Sequence, residues 1–431
     1  MAAGLQHDGM TVRDQVPNQR VHVFLQERFA ARDLHERARV PIDLGHHVVD
    51  GPLLPLVERI GRVAPRAPQI AGGRPREHAG LPVRLDSPWM EWKISLTVST
   101  FHYSTGVRGL YIGTSGWSYP TGRGTWNGVF YPPSRGRSRQ FDELSYYADH
   151  FDTVEVNSTF YGQPRASVTR RWAERTPSGF EFSVKLYQKF THPKLFEAAV
   201  RRSLGGAADA ATSVDALVRP TQTDLDEFRR GIDPLAERGK LGALLAQFPP
   251  SFKCGDAERE YLGDLLRALS GYQLAVELRH RSWSDRFGDT LTLLNLFQAA
   301  WVQIDEPKFR FSIRQNYLPN VEGFYYMRLH GRNAAEWWRP AASEDRYNYL
   351  YSDAELQEFT GTADAARRLV KKLYLYTNNH FSAKSVANAV MIKKQLGEPV
   401  DGEYRPEFVA QYPELAGVVK IEAATPARKL V

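Results

Sequence analysis

The chain has 431 residues, of which 24% are charged, with a formal net charge of +7 and one cysteine. That length fits two or three average domains or one large α/β barrel with additions, and a mild, interspersed charge allows nucleic acid as a partner without demanding it. Cys254 alone excludes an intramolecular disulfide and a thiolate metal cluster. The absence of a run of about 18 apolar residues, and of a basic segment leading into an apolar core, sets the expectation of a cytoplasmic protein that does not engage a membrane.

Residues 1–105 differ in texture from the rest. They are rich in Arg and His, Lys93 is the only lysine before position 100, and Pro-rich stretches such as "VAPRAPQIAGGRPREHAGLP" break any sustained periodicity. The expectation is a poorly ordered N-terminal extension, or an artefact of a start site placed upstream of a native start near Met90. A barrel domain is expected over 106–400 and a C-terminal tail over 401–431.

From residue 110 the pattern is regular. Strand-like runs occur at 110–117, 153–161, 180–187, 241–248, 274–280, 300–305, 324–331 and 373–380, and helical stretches follow most of them, several opened by Asp or Ser as N-caps. Eight strands alternating with helices predict an α/β fold, a (β/α)₈ TIM barrel. The sixth unit is irregular, because "EPKFRFSIRQNYLPNVEG" carries no helical pattern.

Side chains alternate along a barrel strand between the interior and the helix layer, and active sites sit at the C-terminal mouth. The inward register predicted here takes Glu155 and Asn157 on strand two, Ser183 and Lys185 on three, Gln247 on four, and Glu277 and Arg279 on five. It continues with Gln303 and Asp305 on six, Arg328 and His330 on seven, and Asn378 or Asn379 on eight. Three carboxylates and three permanent cations in one concavity are expensive to bury without a ligand or a reaction. Around the mouth, loops carry Trp117, Tyr119, Trp126, Trp337, Trp338, Tyr347 and Tyr349, whose faces can stack on flat ligands. The loop after strand one has no phosphate-loop or dinucleotide signature, and neither "HERAR" nor "HFSAKS" is a zinc-protease motif.

The motifs "IGTSGW", "FYP", "YYADHFDTVEVNSTFY", "KLYQKFTHP", "QFPPSF", "VELRHRSW", "RLHGR", "RYNYLYS" and "NNHFSAKSVANA" closely resemble, in this order, those of the YecE-like family (domain of unknown function 72). The resemblance covers residues 110–398 and implies a TIM-barrel fold, in agreement with the strand count. It implies no particular reaction. Residues 1–105 depart from it, because members start close to the "IGTSGW" strand.

The chemistry expected from the polar strand ends is that of an enzyme with general acid/base groups, of the kind hydrolases use, acting on a phosphate- or carboxylate-bearing or sugar substrate. Glu155, Glu277 and His330 are the expected catalytic residues. Lys185, Arg279 and Arg328 would neutralise the anion, and Asn157, Gln247, Asp305, Asn378, Asn379 and Trp117 would line the substrate. Three alternatives stay open. One is a metal-assisted phosphoesterase of the endonuclease IV type, a fold-level analogy, with Glu155, Glu277, Asp305 and His330 on a divalent metal. Another is a glycosidase with two widely spaced glutamates on opposite strands. The last is a non-catalytic barrel binding nucleic acid or a metabolite.

Overall fold

The computed structural model describes residues 109–134, 141–203, 217–315, 318–338 and 342–423, all within the unit Val98–Val431. The extension expected over 1–105 and the end of the tail beyond 423 lie outside the described residues.

The barrel strands are β1 (Gly109–Ser115), β2 (Thr153–Val156), β3 (Glu181–Lys185), β4 (Leu241–Gln247), β5 (Gln273–Glu277), β6 (Ala300–Trp301), β7 (Gln303–Asp305), β8 (Phe324–Leu329) and β9 (Lys372–Thr377). All pair in parallel, in the order β6-β5-β4-β3-β2-β1-β9-β8-β7. The two ends of that sheet, β6 and β7, are halves of one strand interrupted at Val302, so the sheet closes on itself as an eight-stranded TIM barrel. Strands covered on both faces read as continuous apolar runs, and "LGALLAQ" of β4 is buried from Gly242 onward.

Outside the barrel lie α1 (Glu143–Ala148), α2 (Ala166–Glu174), α3 (Gln222–Glu237), α4 (Asp256–Ala268), α5 (Phe287–Leu296), α6 (Asp353–Arg367) and α7 (Lys384–Leu396). Asp142 caps α1 by accepting from Leu144 N at 3.0 Å, and Ser352 with Glu355 forms a capping box on α6. Among the described residues no helix follows β7, as the irregular sixth unit predicts. Its chain folds back on the end of strand five instead: Ile313 N donates to Arg279 O at 2.9 Å and Arg281 N to Phe311 O at 2.8 Å.

Strand two is shorter than its residues predict. It stops at Val156, and Ser158–Tyr161 is a helical turn in which Thr159 Oγ1 donates to Lys185 O at 2.6 Å. The β propensity of Thr159, Phe160 and Tyr161 reflects how they pack on a half-buried surface, and a turn folded over the barrel end offers the same surface. Residues 401–423, within the expected tail, carry a short parallel pair (Glu403–Tyr404 with Lys420–Ile421) and bury Tyr404, Phe408, Tyr412 and Leu415, with Phe130 near both Tyr404 and Phe408. No helix among the described residues is long and apolar enough to cross a membrane.

Candidate functional site

The barrel interior is polar from floor to mouth. At the floor Glu181 accepts from Tyr111 Oη at 2.8 Å, Tyr374 Oη at 2.6 Å and Lys372 Nζ at 2.6 Å. Above it, Tyr376 Oη meets Thr153 Oγ1 at 2.6 Å and donates to Ser183 Oγ at 2.9 Å. Gly113 of β1 leaves room for this packing, since a Cβ there would sit 2.3 Å from Thr153 O.

Toward the mouth Arg328 is fully buried and clasped by two glutamates. Its Nε and Nη2 donate to Glu155 Oε2 and Oε1 at 2.8 and 2.6 Å, and its Nη1 to Glu277 Oε2 at 2.5 Å and Gln247 Oε1 at 3.1 Å. Ser115 Oγ and Tyr326 Oη add bonds of 2.8 and 2.7 Å to Glu155, so all four acceptor positions of that carboxylate are filled. Glu277 Oε1 accepts from Arg279 Nε at 2.7 Å. Burial works against the Glu277 charge, yet the Arg328 and Arg279 guanidiniums hold this carboxyl well below the usual range. Two carboxylates and two guanidiniums balance.

His330 closes the upper side. Its Nε2 faces Arg279 Nη2 at 3.1 Å and Arg328 Nη1 at 3.3 Å, and its Nδ1 lies 2.8 Å from the Asn378 amide. Nε2 also lies 3.4 Å from Glu277 Oε1, so two guanidinium donors and a carboxylate acceptor face the same nitrogen. Burial, with Arg328 next, pushes the imidazole down to about 3. His330 is therefore neutral near pH 7. Gly331 follows with φ of +92°, and its N–H donates to Tyr351 Oη at 2.8 Å.

Lys185 stands apart from this clasp. It is half-buried at the end of β3, its Nζ 4.1 Å from the centroid of Phe160, with no hydrogen-bond acceptor among the described residues. Burial, followed by Arg328 and Arg279, pushes its amine down to about 7 against the opposing pull of Glu277 and Glu155. His192 meets the same Phe160 ring edge-on at 4.9 Å, and burial together with Lys185 and Arg279 pushes it down to about 3.

Four expected site residues lie elsewhere. The register of strand six is shifted by one: Gln303 accepts from the Tyr325 hydroxyl, and Asp305 accepts from Arg332 Nε and Tyr351 Oη at 2.8 and 2.7 Å, beside α6. Alternation then puts Ile304 and Glu306 on the inner face, and Glu306 Oε2 lies 3.4 Å from Arg279 Nη1. Asn379 likewise points outward, donating to Tyr349 O and Asn388 Oδ1 at 2.7 Å each, which leaves Asn378 as the interior amide. Trp117 packs edge-on against Trp172 of α2 and Phe182 of β3, in the wall. Asn157 lies past the strand end and begins the turn, its carbonyl accepting from Phe160 N at 3.1 Å.

These placements bear on the alternative chemistries. The expected metal ligands do not share a site, because Asp305 is in the outer layer, Glu155 has no free acceptor position and His330 Nε2 faces guanidiniums. Among the described residues no group of three or more His, Cys, Asp or Glu is placed to hold a metal ion. The glutamates expected on opposite walls meet across one guanidinium, which leaves no place for a sugar between them.

Sequence reasoning missed Glu306 and His192. Glu306 is buried, its Oε2 makes no hydrogen bond, and burial with Glu277 raises its carboxyl despite Arg279. The signal was present in "DEP", two adjacent acids of which only one can face inward, and in the "THP" that follows Lys185.

The family described as "Protein of unknown function DUF72" matches residues 111–410. UPF0759 protein YunF of Bacillus subtilis is 27% identical over 306 residues, 68% of this chain and 96% of that protein. UPF0759 protein YecE of Escherichia coli K12 is 31% identical over 172 residues, 40% of this chain and 48% of that one. Among solved structures, a DUF72 family protein from Thermotoga maritima is 32% identical with a TM-score of 0.54, covering 67% of this chain and all of its own. One from Enterococcus faecalis shares the fold at 23% identity and a TM-score of 0.54, covering 68% of this chain and 97% of its own.

Proposed function

The chain belongs to the DUF72 family, and from the chemistry of its barrel mouth we propose an enzyme that binds a small phosphate- or carboxylate-bearing substrate between Lys185 and Arg279. One observation carries this reading: the Lys185 ammonium, beside two guanidiniums, has no acceptor for its donors among the described residues. An anion at that point supplies the acceptor and relieves the repulsion among the three cations. Arg328, Glu155 and Glu277 hold one another and serve as the rigid base on which Arg279 is aimed. Proton transfer falls to the groups whose ordinary values are displaced toward neutrality, Lys185 as base and Glu306 as acid.

Sulfate tests the reading, because its charge is constant between pH 5 and 9. Calorimetric titration of the full chain is expected to give one saturable site, weakened at least about tenfold, roughly 1.4 kcal/mol, in Lys185→Met and Arg279→Lys. Unchanged affinity in Lys185→Met would refute it.

A further inference from the structure

We propose that Lys185 is a Schiff-base nucleophile and that the anionic substrate is an aldehyde or ketone: an oxo acid or a phosphorylated carbonyl compound. The inference rests on the anion site proposed above and names the substrate class of that same site.

The contrast with the other lysines carries the argument. Lys189, more deeply buried, donates to both carboxylate oxygens of Asp224 at 3.0 and 2.8 Å. Lys240 reaches Ala173 O, Thr176 O and Thr176 Oγ1 at 2.7, 2.6 and 2.9 Å. Lys393 has His150 O at 3.4 Å and Asp401 at 3.5 Å. Oxygen atoms answer each of these ammonium groups. Lys185 is answered by an aromatic face, and a cation over a ring gains only about 0.5–2 kcal/mol. The two guanidiniums near it oppose a third positive charge. A lysine that is neutral for part of the time near pH 7 has a lone pair to offer.

Its surroundings fit the remaining needs of the step. Phe160 covers one side of Nζ, and Arg279, held by Glu277, is the fixed anion anchor. His192 touches the same ring from its edge, and its Nδ1 lies 2.9 Å from Thr191 Oγ1.

In the step, the Nζ lone pair forms a bond to the carbonyl carbon and the C=O π pair moves to oxygen, which takes up the proton that nitrogen sheds. His192 passes that proton between them. The carbinolamine C–O bond then breaks, its oxygen leaves as water with one further proton, and the nitrogen lone pair closes the C=N bond. Neutral amine, carbonyl and one proton drawn from solvent give the protonated imine plus water, with no oxidant or reductant. The protonated imine draws electrons from the neighbouring carbon, which is the activation such a site would supply.

Trapping with sodium cyanoborohydride tests this on the full chain. The protein is incubated at pH 7.5 with pyruvate, with dihydroxyacetone phosphate, and with acetone as the uncharged control, then read by intact mass and peptide mapping. The expected result is a single reduced adduct on the peptide carrying Lys185, formed with the anionic probes at least tenfold faster than with acetone. It should be missing in Lys185→Arg, whose guanidinium forms no imine and whose cooperative urea denaturation checks that the variant folds. Label spread over exposed lysines, with Lys185 no richer than Lys194, would overturn the proposal, as would equal labelling of Lys185→Arg. Sulfate binding without selective trapping overturns the Schiff base alone. Failure of sulfate to bind the parent chain overturns the anion site and the anionic substrate class with it.

Discussion

At the floor of the barrel Glu181 is surrounded by Tyr111, Tyr374 and Lys372, each within 2.8 Å, while at the mouth Lys185 meets, among the described residues, the face of Phe160 and no acceptor. The Arg328 clasp lies between them and belongs with the floor: its charges are balanced and its acceptors filled. Both regions carry ionisable groups in a mostly buried setting, where an unanswered charge is costly. The floor and clasp are therefore polar for reasons of fit, and their removal should harm folding. The mouth is polar at the expense of stability, and its removal should harm function alone.

The hardest strain on this comparison is Arg328→Met. It leaves Glu155 and Glu277 buried without their shared cation, and a loss of about 3–5 kcal/mol is expected in urea denaturation. A loss below about 1 kcal/mol would mean that the clasp is not structural and would merge the two regions.

Lys185→Met should move stability in the opposite direction. The folded-state value of Lys185 lies near 7 and its ordinary value is 10.5, so between them the unfolded chain binds more protons and parent stability rises with pH. The gain from removing the amine is thus full below about pH 7, expected at about 1–2 kcal/mol, and fades as pH approaches 10.5. Denaturation midpoints at pH 6, 8 and 10 check the sign. A variant less stable than the parent at pH 6 would place Lys185 with the clasp.

The smallest effect is expected from Asp305→Asn. The amide keeps an acceptor for Arg332 and Tyr351, and Arg332 retains Glu355 and Glu358 at 3.4 and 3.2 Å. A cost of about 0.5–1.5 kcal/mol with unchanged sulfate affinity is expected, whereas a drop in affinity would return Asp305 to the site.

The alternation of strands and helices, and the inward polar positions Glu155, Lys185, Gln247, Glu277, Arg279, Arg328, His330 and Asn378, were legible in the chain because strand periodicity is local. A period of two assigns one face to every second residue, and apolar neighbours such as Val154, Val276 and Leu329 marked the other. The same rule has no purchase where both faces are polar. In "QIDEP" the two sets are Gln303 with Asp305 and Ile304 with Glu306, and choosing the first assigned Asp305 to the site in place of Glu306. In "NNH" the choice lay between two identical amides.

What the chain determined by itself was the barrel and the presence of a charged interior, since both follow from patterns read one strand at a time. Tertiary structure alone decided which charges are spent and which remain. Whether a glutamate is a base or a counter-ion depends on donors from other strands: Ser115, Tyr326 and Arg328 converge on Glu155 from β1 and β8, and Arg279 joins Arg328 on Glu277. Such pairings cross up to 173 positions of sequence, so no local pattern encodes them, and ionisation is set by the sum of those contacts. Lys185 became the candidate because no acceptor arrived from the neighbouring strands, and that follows from the closure of the barrel.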